Sequence, residues 1–390
     1  MNPTQQLYTP QFLLLCASYF FFAASFTMII PELPAYLTSL GGEDYKGGII
    51  GLFTLTAGIS RPFSGKLSDT IGRVPVMIVG TLVCVVCSFL YPFLTTVYGF
   101  LFLRLLHGFS TGFKPTASSA YVADIVPIDR RGEAMGMAGV SMNVGAMIAP
   151  VFGSFIAIEY SINAMFYTSS GMALFSVVIL LGLKETLENK QPFHPRILII
   201  KKNEIFEESA IAPAILVALL YFSYGVLLTI TPDQSLYLGI ENKGYVLGVF
   251  TIFSIISRLI AGRVSDRYGR LIVIKVSGIF SGIAILLFGY AETVTFFYFA
   301  AAMTGLALGI SSPAVMAWTV DRAPDKYRGR AMATMYIALE LGIGLGAVIS
   351  SYIFSNQHEN LPTVYWVTGG CAWAGVFYLQ FIFRDKTQIY

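Results

Sequence analysis

The sequence predicts an all-α membrane protein of twelve transmembrane helices in two parallel six-helix repeats, and three observations predict it. The first is composition: of 390 residues 55% are hydrophobic and 12% charged, and the mean hydropathy is +0.69. That charged fraction is about half of what an ordinary soluble domain carries. A chain so poor in charge cannot clothe itself in polar surface, so most of its outside must face hydrocarbon. The second is that the apolar residues gather into twelve runs, each near the ~20 residues a helix needs to span a bilayer. The third is that motifs of the first half return in the second at a fixed offset.

The predicted spans are 11–31, 46–66, 74–94, 97–123, 132–158 and 162–183 in the first half. In the second they are 209–232, 244–263, 271–291, 294–320, 329–356 and 362–383. Residues 1–183 then form an N-terminal bundle, 184–208 a linker and 209–390 a C-terminal bundle. Basic residues crowd every second loop: Arg73, Arg130, Arg131, Lys184, Lys190, Arg263, Arg267, Arg322, Lys326 and Arg384 lie in or beside one set, while the other holds Lys46 and Lys243. By the positive-inside rule the first set is cytoplasmic, and both termini fall on that side. The N-terminal stretch is neutral with no small-residue cleavage site after it, so the first span is expected to remain as a helix. The linker mixes charge, two prolines and the apolar patch 197–200, which suits either a short helix on the inner leaflet or a solvated tether. Cys16, Cys84, Cys87 and Cys371 all sit in apolar runs and are expected reduced and buried, the Cys84-x-x-Cys87 spacing serving packing.

Arg61, Gly65, Asp69, Gly72 and Arg73 recur as Arg258, Gly262, Asp266, Gly269 and Arg270, each 197 positions later (258 − 61). The register continues: Gly108, Gly112, Asp124, Arg131, Gly132 and Gly145 map onto Gly305, Gly309, Asp321, Arg328, Gly329 and Gly342. Upstream, Pro31, Glu32, Tyr36 and Leu37 match Pro232, Asp233, Tyr237 and Leu238 at an offset of 201 (232 − 31). Two halves of equal orientation imply a pseudo-twofold axis along the membrane normal, with a site expected near the midplane.

Gly65-Lys-Leu-Ser-Asp69-Thr-Ile-Gly72-Arg73 and its repeat Gly262-Arg-Val-Ser-Asp266-Arg-Tyr-Gly269-Arg270 resemble the signature loop of the major facilitator superfamily, and the likeness extends over the whole chain. The resemblance implies a conformational latch: Asp69 packs near the start of the eleventh helix and Arg73 pairs with Asp124, with Asp266, Arg270 and Asp321 acting likewise in the other half. Arg104-Leu-Leu-His107-Gly108 is similar to the family's arginine-bearing motif on the fourth span. An arginine there costs several kcal/mol unless it is paired or faces water. It is either functional or a structural tie to the first helix, and position 301, its repeat equivalent, is Ala. The fifth span, with Gly136, Gly145, Pro150 and Gly153, resembles the antiporter motif of the proton-coupled efflux branch, with Ala149 and Ser154 where that pattern favours glycine. Small-residue packing alone is the alternative.

Two charges break the repeat: Lys114 aligns with Ser311, and Glu340 with Asn143. Glu340 lies about 18 Å along its helix at 1.5 Å per residue. Burial there favours the neutral acid, which suits proton exchange; a helix-packing hydrogen bond is the alternative. Lys114 could draw in an anion, pair with a carboxylate, or snorkel to the interface. Glu32 and Asp233, beside Pro31 and Pro232, suit gating or helix capping. Tyr221, Phe222 and Tyr224 either line a cavity or pack.

The expected function is secondary active transport by alternating access, in the form of proton-coupled efflux of a small organic molecule. Arg104, Lys114, Asn143, Glu340, Tyr221 and Tyr224 are the substrate and proton candidates. A proton-coupled importer or facilitator of a small anionic metabolite is the alternative within transport, and a membrane receptor or sensor without transport the alternative from another class. No enzyme is expected: H-E-x-x-H, a phosphate-binding loop and a Cys/His cluster are missing from the sequence, and Gly108-Phe-Ser-Thr-Gly112 lies inside a predicted span, so it is no G-x-S-x-G nucleophile turn. Neither cofactor nor metal is expected. The expected partners are a small-molecule substrate, protons and the lipid bilayer, without nucleic acid, and the expected state is a monomer in the cytoplasmic (inner) membrane of a bacterium.

Overall fold

A computed structural model describes residues 8–126, 131–188, 190–200, 205–324 and 328–383, without the side chains of 131–133, Gly262, Arg263, Asp266, Arg328 and Gly329. Its elements are α1 (Pro10–Met28), α2 (Leu33–Ser39), α3 (Lys46–Ile71), α4 (Arg73–Leu90), α5 (Val97–Ile125), α6 (Arg131–Glu159) and α7 (Ile162–Leu181). After the linker follow α8 (Ile211–Tyr237), α9 (Gly244–Tyr268), α10 (Arg270–Phe288), α11 (Val294–Arg322), α12 (Arg328–Phe354) and α13 (Leu361–Phe377). No strand occurs among the described residues. In hydrocarbon every backbone N–H and C=O must find a partner inside its own segment, and the helix is the open-chain solution.

The short helix α2 continues the first span after a 3-10 turn at Ile30–Glu32, which leaves twelve long helices among the described residues. Nine stretches among the described residues are long and apolar enough to span by length and composition alone. Outside that set fall α3 and α5, diluted by Arg61, Lys66 and Asp69 and by Arg104, His107 and Lys114, and the 17-residue α13, which passes into a π turn. Observed helices also outrun the predicted spans: α3 reaches Ile71 rather than 66, and α9 reaches Tyr268 rather than 263. An apolar run stops at the first charges, whereas a helix in water continues through Lys, Arg and Asp with little penalty.

Helix starts carry the expected chemistry. Thr9, Thr96, Ser161 and Thr293 accept from the backbone N–H three residues on, at 3.3, 3.1, 3.0 and 3.3 Å. Thr96 and Thr293 are repeat partners (293 − 96), so the caps of α5 and α11 were duplicated with their helices.

The chain forms two compact units. The first comprises residues 1–42, 52–201 and 242–245; the second comprises 43–51, 202–241 and 246–390. Phe12, Leu15, Met77, Tyr121, Val122 and Leu180 lie in the core of the first, and Leu216, Leu220, Ile274, Val315, Met335 and Ala372 in that of the second. Each unit holds the same close approach: a Cβ on Gly108 would strike the Phe53 carbonyl, and one on Gly305 the Phe250 carbonyl. Phe53 and Phe250 are themselves 197 apart, so the repeat is one of contacts as well as letters. Ser64 Oγ reinforces the first seam by donating to Gly112 O at 2.7 Å.

Because the obstacle is backbone, Gly108→Val and Gly305→Val should each destabilise their unit by about 1–3 kcal/mol or more. A thermal-shift measurement on purified protein in detergent checks this, and an unchanged melting temperature would refute the seam.

Candidate functional site

The signature loop of the first unit is built on Gly72, whose φ of 124° lies where L side chains are strained. That turn lets α4 start one residue after α3 ends. Arg73 then bonds Asp69 Oδ1 at 2.5 Å and Ser68 O at 2.7 Å through Nη1, and Asp124 Oδ2 at 3.1 Å through Nε. Gly65 is half-buried, 3.9 Å from Thr116 Cγ2 as measured from a Cβ placed on it. In the second unit Gly269 repeats the positive φ (89°), and Arg270 bonds Asp321 Oδ2 at 3.2 Å and Ser265 Oγ at 3.1 Å. The side chain of Asp266, and Gly262, lie outside the described residues. Pairs this exposed are worth on the order of 0.2–1 kcal/mol.

Glu185 is a residue the sequence reading did not single out. Its carboxylate accepts from Arg73 N and Val74 N at 3.0 Å each, and from Thr186 N and Leu187 N at 2.9 and 3.0 Å. A negative group is therefore set on the first N–H groups of α4, at the positive end of its dipole. Thr186 Oγ1 donates to Asp124 Oδ2 at 2.6 Å, which ties the start of the linker to the same cluster. The signal was present: like Lys114 and Glu340, Glu185 breaks the repeat, its equivalent being Ile382. Described parts of the linker are also tied to the first unit. Gln191 N donates to Thr70 O at 2.9 Å, Lys66 Nζ to Ile199 O at 2.6 Å, and Ile197 packs against the core of the first unit. In the second unit Glu207 pairs with Arg330 at 3.0 Å.

Lys114 is fully buried inside the first unit. Its ammonium spends its three donors on Ser18 O (2.8 Å), Ser18 Oγ (2.7 Å) and Ser176 Oγ (2.7 Å), over the Phe22 ring at 4.6 Å. No ion pair holds it among the described residues. Of the roles weighed above, it therefore neither snorkels nor pairs with an acid here.

Arg104 is 1% exposed, its guanidinium 4.6 Å from the Phe53 ring, and Nη1 donates to Tyr91 OH at 3.3 Å. Tyr91 OH lies 3.2 Å from His107 Nδ1, His107 Nε2 lies 3.1 Å from Cys84 Sγ, and Cys84 Sγ lies 2.9 Å from Ser25 Oγ, which donates to Phe22 O. One proton arrangement satisfies every member: Arg104 to Tyr91, Tyr91 to Nδ1, Nε2–H to Cys84, and the thiol to Ser25. His107 and Cys84, scattered in sequence, thus belong to one buried chain with Arg104. The four cysteines are free; three are buried and Cys371 is half-buried.

Glu340 is buried on α12, and Asn143 half-buried on α6. The Tyr221 and Tyr224 rings meet edge to face at 6.3 Å, and Tyr224 lies 5.6 Å from Phe250, while Phe222 is buried. Along α6, a Cβ on Gly145 would strike Phe20 O and one on Gly153 would strike Met28 O, so these glycines form a backbone seam with α1. Gly136 faces open space, and Pro150 is buried within the helix.

The sequence matches the Major Facilitator Superfamily over residues 15–239 and again over 214–388. It is 28% identical over 351 residues to the multi-drug resistance efflux pump PmrA of Streptococcus pneumoniae, covering 86% of each chain. It is 25% identical over 352 residues to the multidrug resistance protein MdtG of Escherichia fergusonii, again covering 86% of each. The fold resembles the crystal structure of a D-xylose–proton symporter with a TM-score of 0.79 at 16% identity, covering 96% of this chain and 97% of that one.

Two variants test this geometry. Glu185→Ala strips the N-terminus of α4 and should cost about 1–2 kcal/mol, read as a lower melting temperature. Lys114→Met should be neutral to stabilising: Ser176 Oγ already donates to Ser18 O at 2.9 Å, so no acceptor is stranded and a buried charge is removed. A melting temperature lowered by several degrees would show instead that the ammonium holds the bundle together.

Proposed function

As the chain belongs to the major facilitator superfamily, a family of multi-pass membrane transporters, we propose that it is a secondary active carrier that exports a small organic molecule in exchange for protons by alternating access. The observation that carries export is the likeness to relatives named multi-drug resistance efflux pumps. Gly145 and Gly153 of the antiporter-like motif each face an α1 carbonyl, as a packing motif of that type requires.

In this reading Glu340, buried on α12 and without a counterpart in the repeat, is the proton-exchanging carboxylate. Arg104 and Lys114 shape the field within the first unit, and Asn143, Tyr221 and Tyr224 contribute to substrate contact. The Arg73–Asp124 and Arg270–Asp321 pairs are cytoplasmic latches, weak enough to open in each turnover. The protein works as a monomer in the cytoplasmic membrane of a bacterium with both termini inside, in accord with the basic loops.

Everted membrane vesicles offered a panel of lipophilic cationic dyes from outside, ethidium first, test the proposal. Acidifying the lumen should drive dye uptake, and Glu340→Gln should abolish that dependence on the pH gradient. Uptake confined to right-side-out vesicles with an inward proton gradient would reverse the direction. An unaltered gradient dependence in Glu340→Gln would remove that residue from the mechanism.

A further inference from the structure

The linker carries a pattern of apolar and basic residues that the proposed transport does not use. No Asp or Glu occurs between Glu188 and Glu204, while Lys190, Arg196, Lys201 and Lys202 supply four positive charges there. The described stretch, 190–200, belongs wholly to the first unit. Its course is set by a few polar ties. Gln191 N donates to Thr70 O, Lys66 Nζ donates to Ile199 O, and Ile197 packs against the core. Between the two ties to α3 runs a 3-10 turn, Pro195–Leu198, whose cap is His194: Nδ1 accepts from Arg196 N at 3.2 Å, and the carbonyl accepts from Ile197 N at 2.9 Å. The stretch is thus a strip fastened at both ends and braced in the middle.

Its outward side is apolar where water would favour polar groups. While Ile197 is taken up by the core, Phe193 stays 59% exposed, Leu198 39% and Ile199 67%, interleaved with the exposed Lys190, His194 and Arg196. In water each of those three apolar side chains forgoes the free energy of burial. The level of the strip resolves the conflict. The predicted apolar run of α3 ends at Lys66, the residue that holds Ile199, and Thr70, which holds Gln191, lies one helical turn further on, about 6 Å at 1.5 Å per residue. The strip therefore runs from the water side of α3 toward the end of its apolar run, where headgroups meet acyl chains. Apolar bodies interleaved with long basic side chains are what that layer accepts.

We infer that residues 190–200 are a docking strip for the anionic phospholipids of the cytoplasmic leaflet, with Phe193, Leu198 and Ile199 entering the boundary of headgroup and acyl chain while Lys190 and Arg196 meet lipid phosphate. Charge complementarity selects this occupant. The cytoplasmic leaflet carries a negative surface potential, which draws basic segments held within a Debye length of it. A free phosphate would match the charge but leave the three apolar side chains in water. Because the strip is tied to a bundle that already sits in the membrane, its docking is an intramolecular step with no capture from solution. The inference rests on the cytoplasmic placing of the linker and is independent of the direction of transport.

The test uses the full chain in lipid nanodiscs. A nitroxide is placed on Ile199→Cys, which keeps the carbonyl that Lys66 uses, in a Cys371→Ser background. Power-saturation EPR then compares collisions with oxygen, which concentrates among acyl chains, against collisions with a water-soluble nickel chelate. In discs of phosphatidylglycerol and phosphatidylcholine in equal parts the oxygen-to-nickel ratio should be about threefold higher than in phosphatidylcholine alone. Lys190→Gln, Arg196→Gln, Lys201→Gln and Lys202→Gln together should return it to the phosphatidylcholine value, and Phe193→Ser should lower it by a smaller factor. The comparison of lipids needs no charge variant, so it decides the matter even where the fourfold variant fails to fold. A ratio equal in the two kinds of disc overturns the inference, whether the label is buried in both or wet in both. On intact cells a membrane-impermeant maleimide should leave Ile199→Cys unlabelled, and labelling there would overturn the assignment to the cytoplasmic leaflet. Dye movement enters neither readout, so the strip and the efflux proposal fail separately.

Discussion

The constraint on which this protein depends is that hydrocarbon offers no water to a bare polar group. Each buried donor must therefore meet an acceptor already held in place, and the interior of the first unit is organised by that rule. The Lys114 ammonium is matched donor for donor by Ser18 and Ser176, and Arg104 opens a directed run through Tyr91, His107, Cys84 and Ser25. Such networks are expensive when incomplete and rigid when complete. Their completeness explains how an apolar bundle tolerates two strong bases near its centre.

The second theme is what duplication left alone and what later substitution added. The glycine seams at Gly108 and Gly305, the caps at Thr96 and Thr293, and the loops at Gly72 and Gly269 occur in both units with the same partners or geometry. Lys114, Arg104, Glu185 and Glu340 occur once each. Shared residues answer to the helix and the bilayer, which treat both halves alike. Single charges answer to something the halves do not share, and for Glu185 that is the linker, whose start it ties to α4.

Much of the fold was legible from the residues because hydropathy and repetition are linear properties. The twelve helices and the duplicated loops could be written down without coordinates. Errors fell at helix ends, where α3 and α9 run on through charges that an apolar count treats as a stop. The site was legible in residue identity but not in neighbourhood. Arg104 and Lys114 were marked by their charge, and His107 lies one turn along α5 from Arg104, yet nothing in the spacing told that Tyr91 and Cys84 would join one and Ser18 and Ser176 the other. Those partners lie on helices brought together by packing, and polar side chains of ordinary type carry no one-dimensional flag. Glu185 was recoverable: the same test of broken repetition that marked Lys114 and Glu340 applied to it.

The glycine seams have a consequence for tempo. Where a helix meets its neighbour's backbone with no side chain between, the two cannot slide past each other without a collision of main chains, so each bundle moves as a stiff body. A stiff body has few slow internal modes. Change is then confined to the polar contacts at the margins of each bundle, where single residues can be exchanged while the packed interior stays as it is.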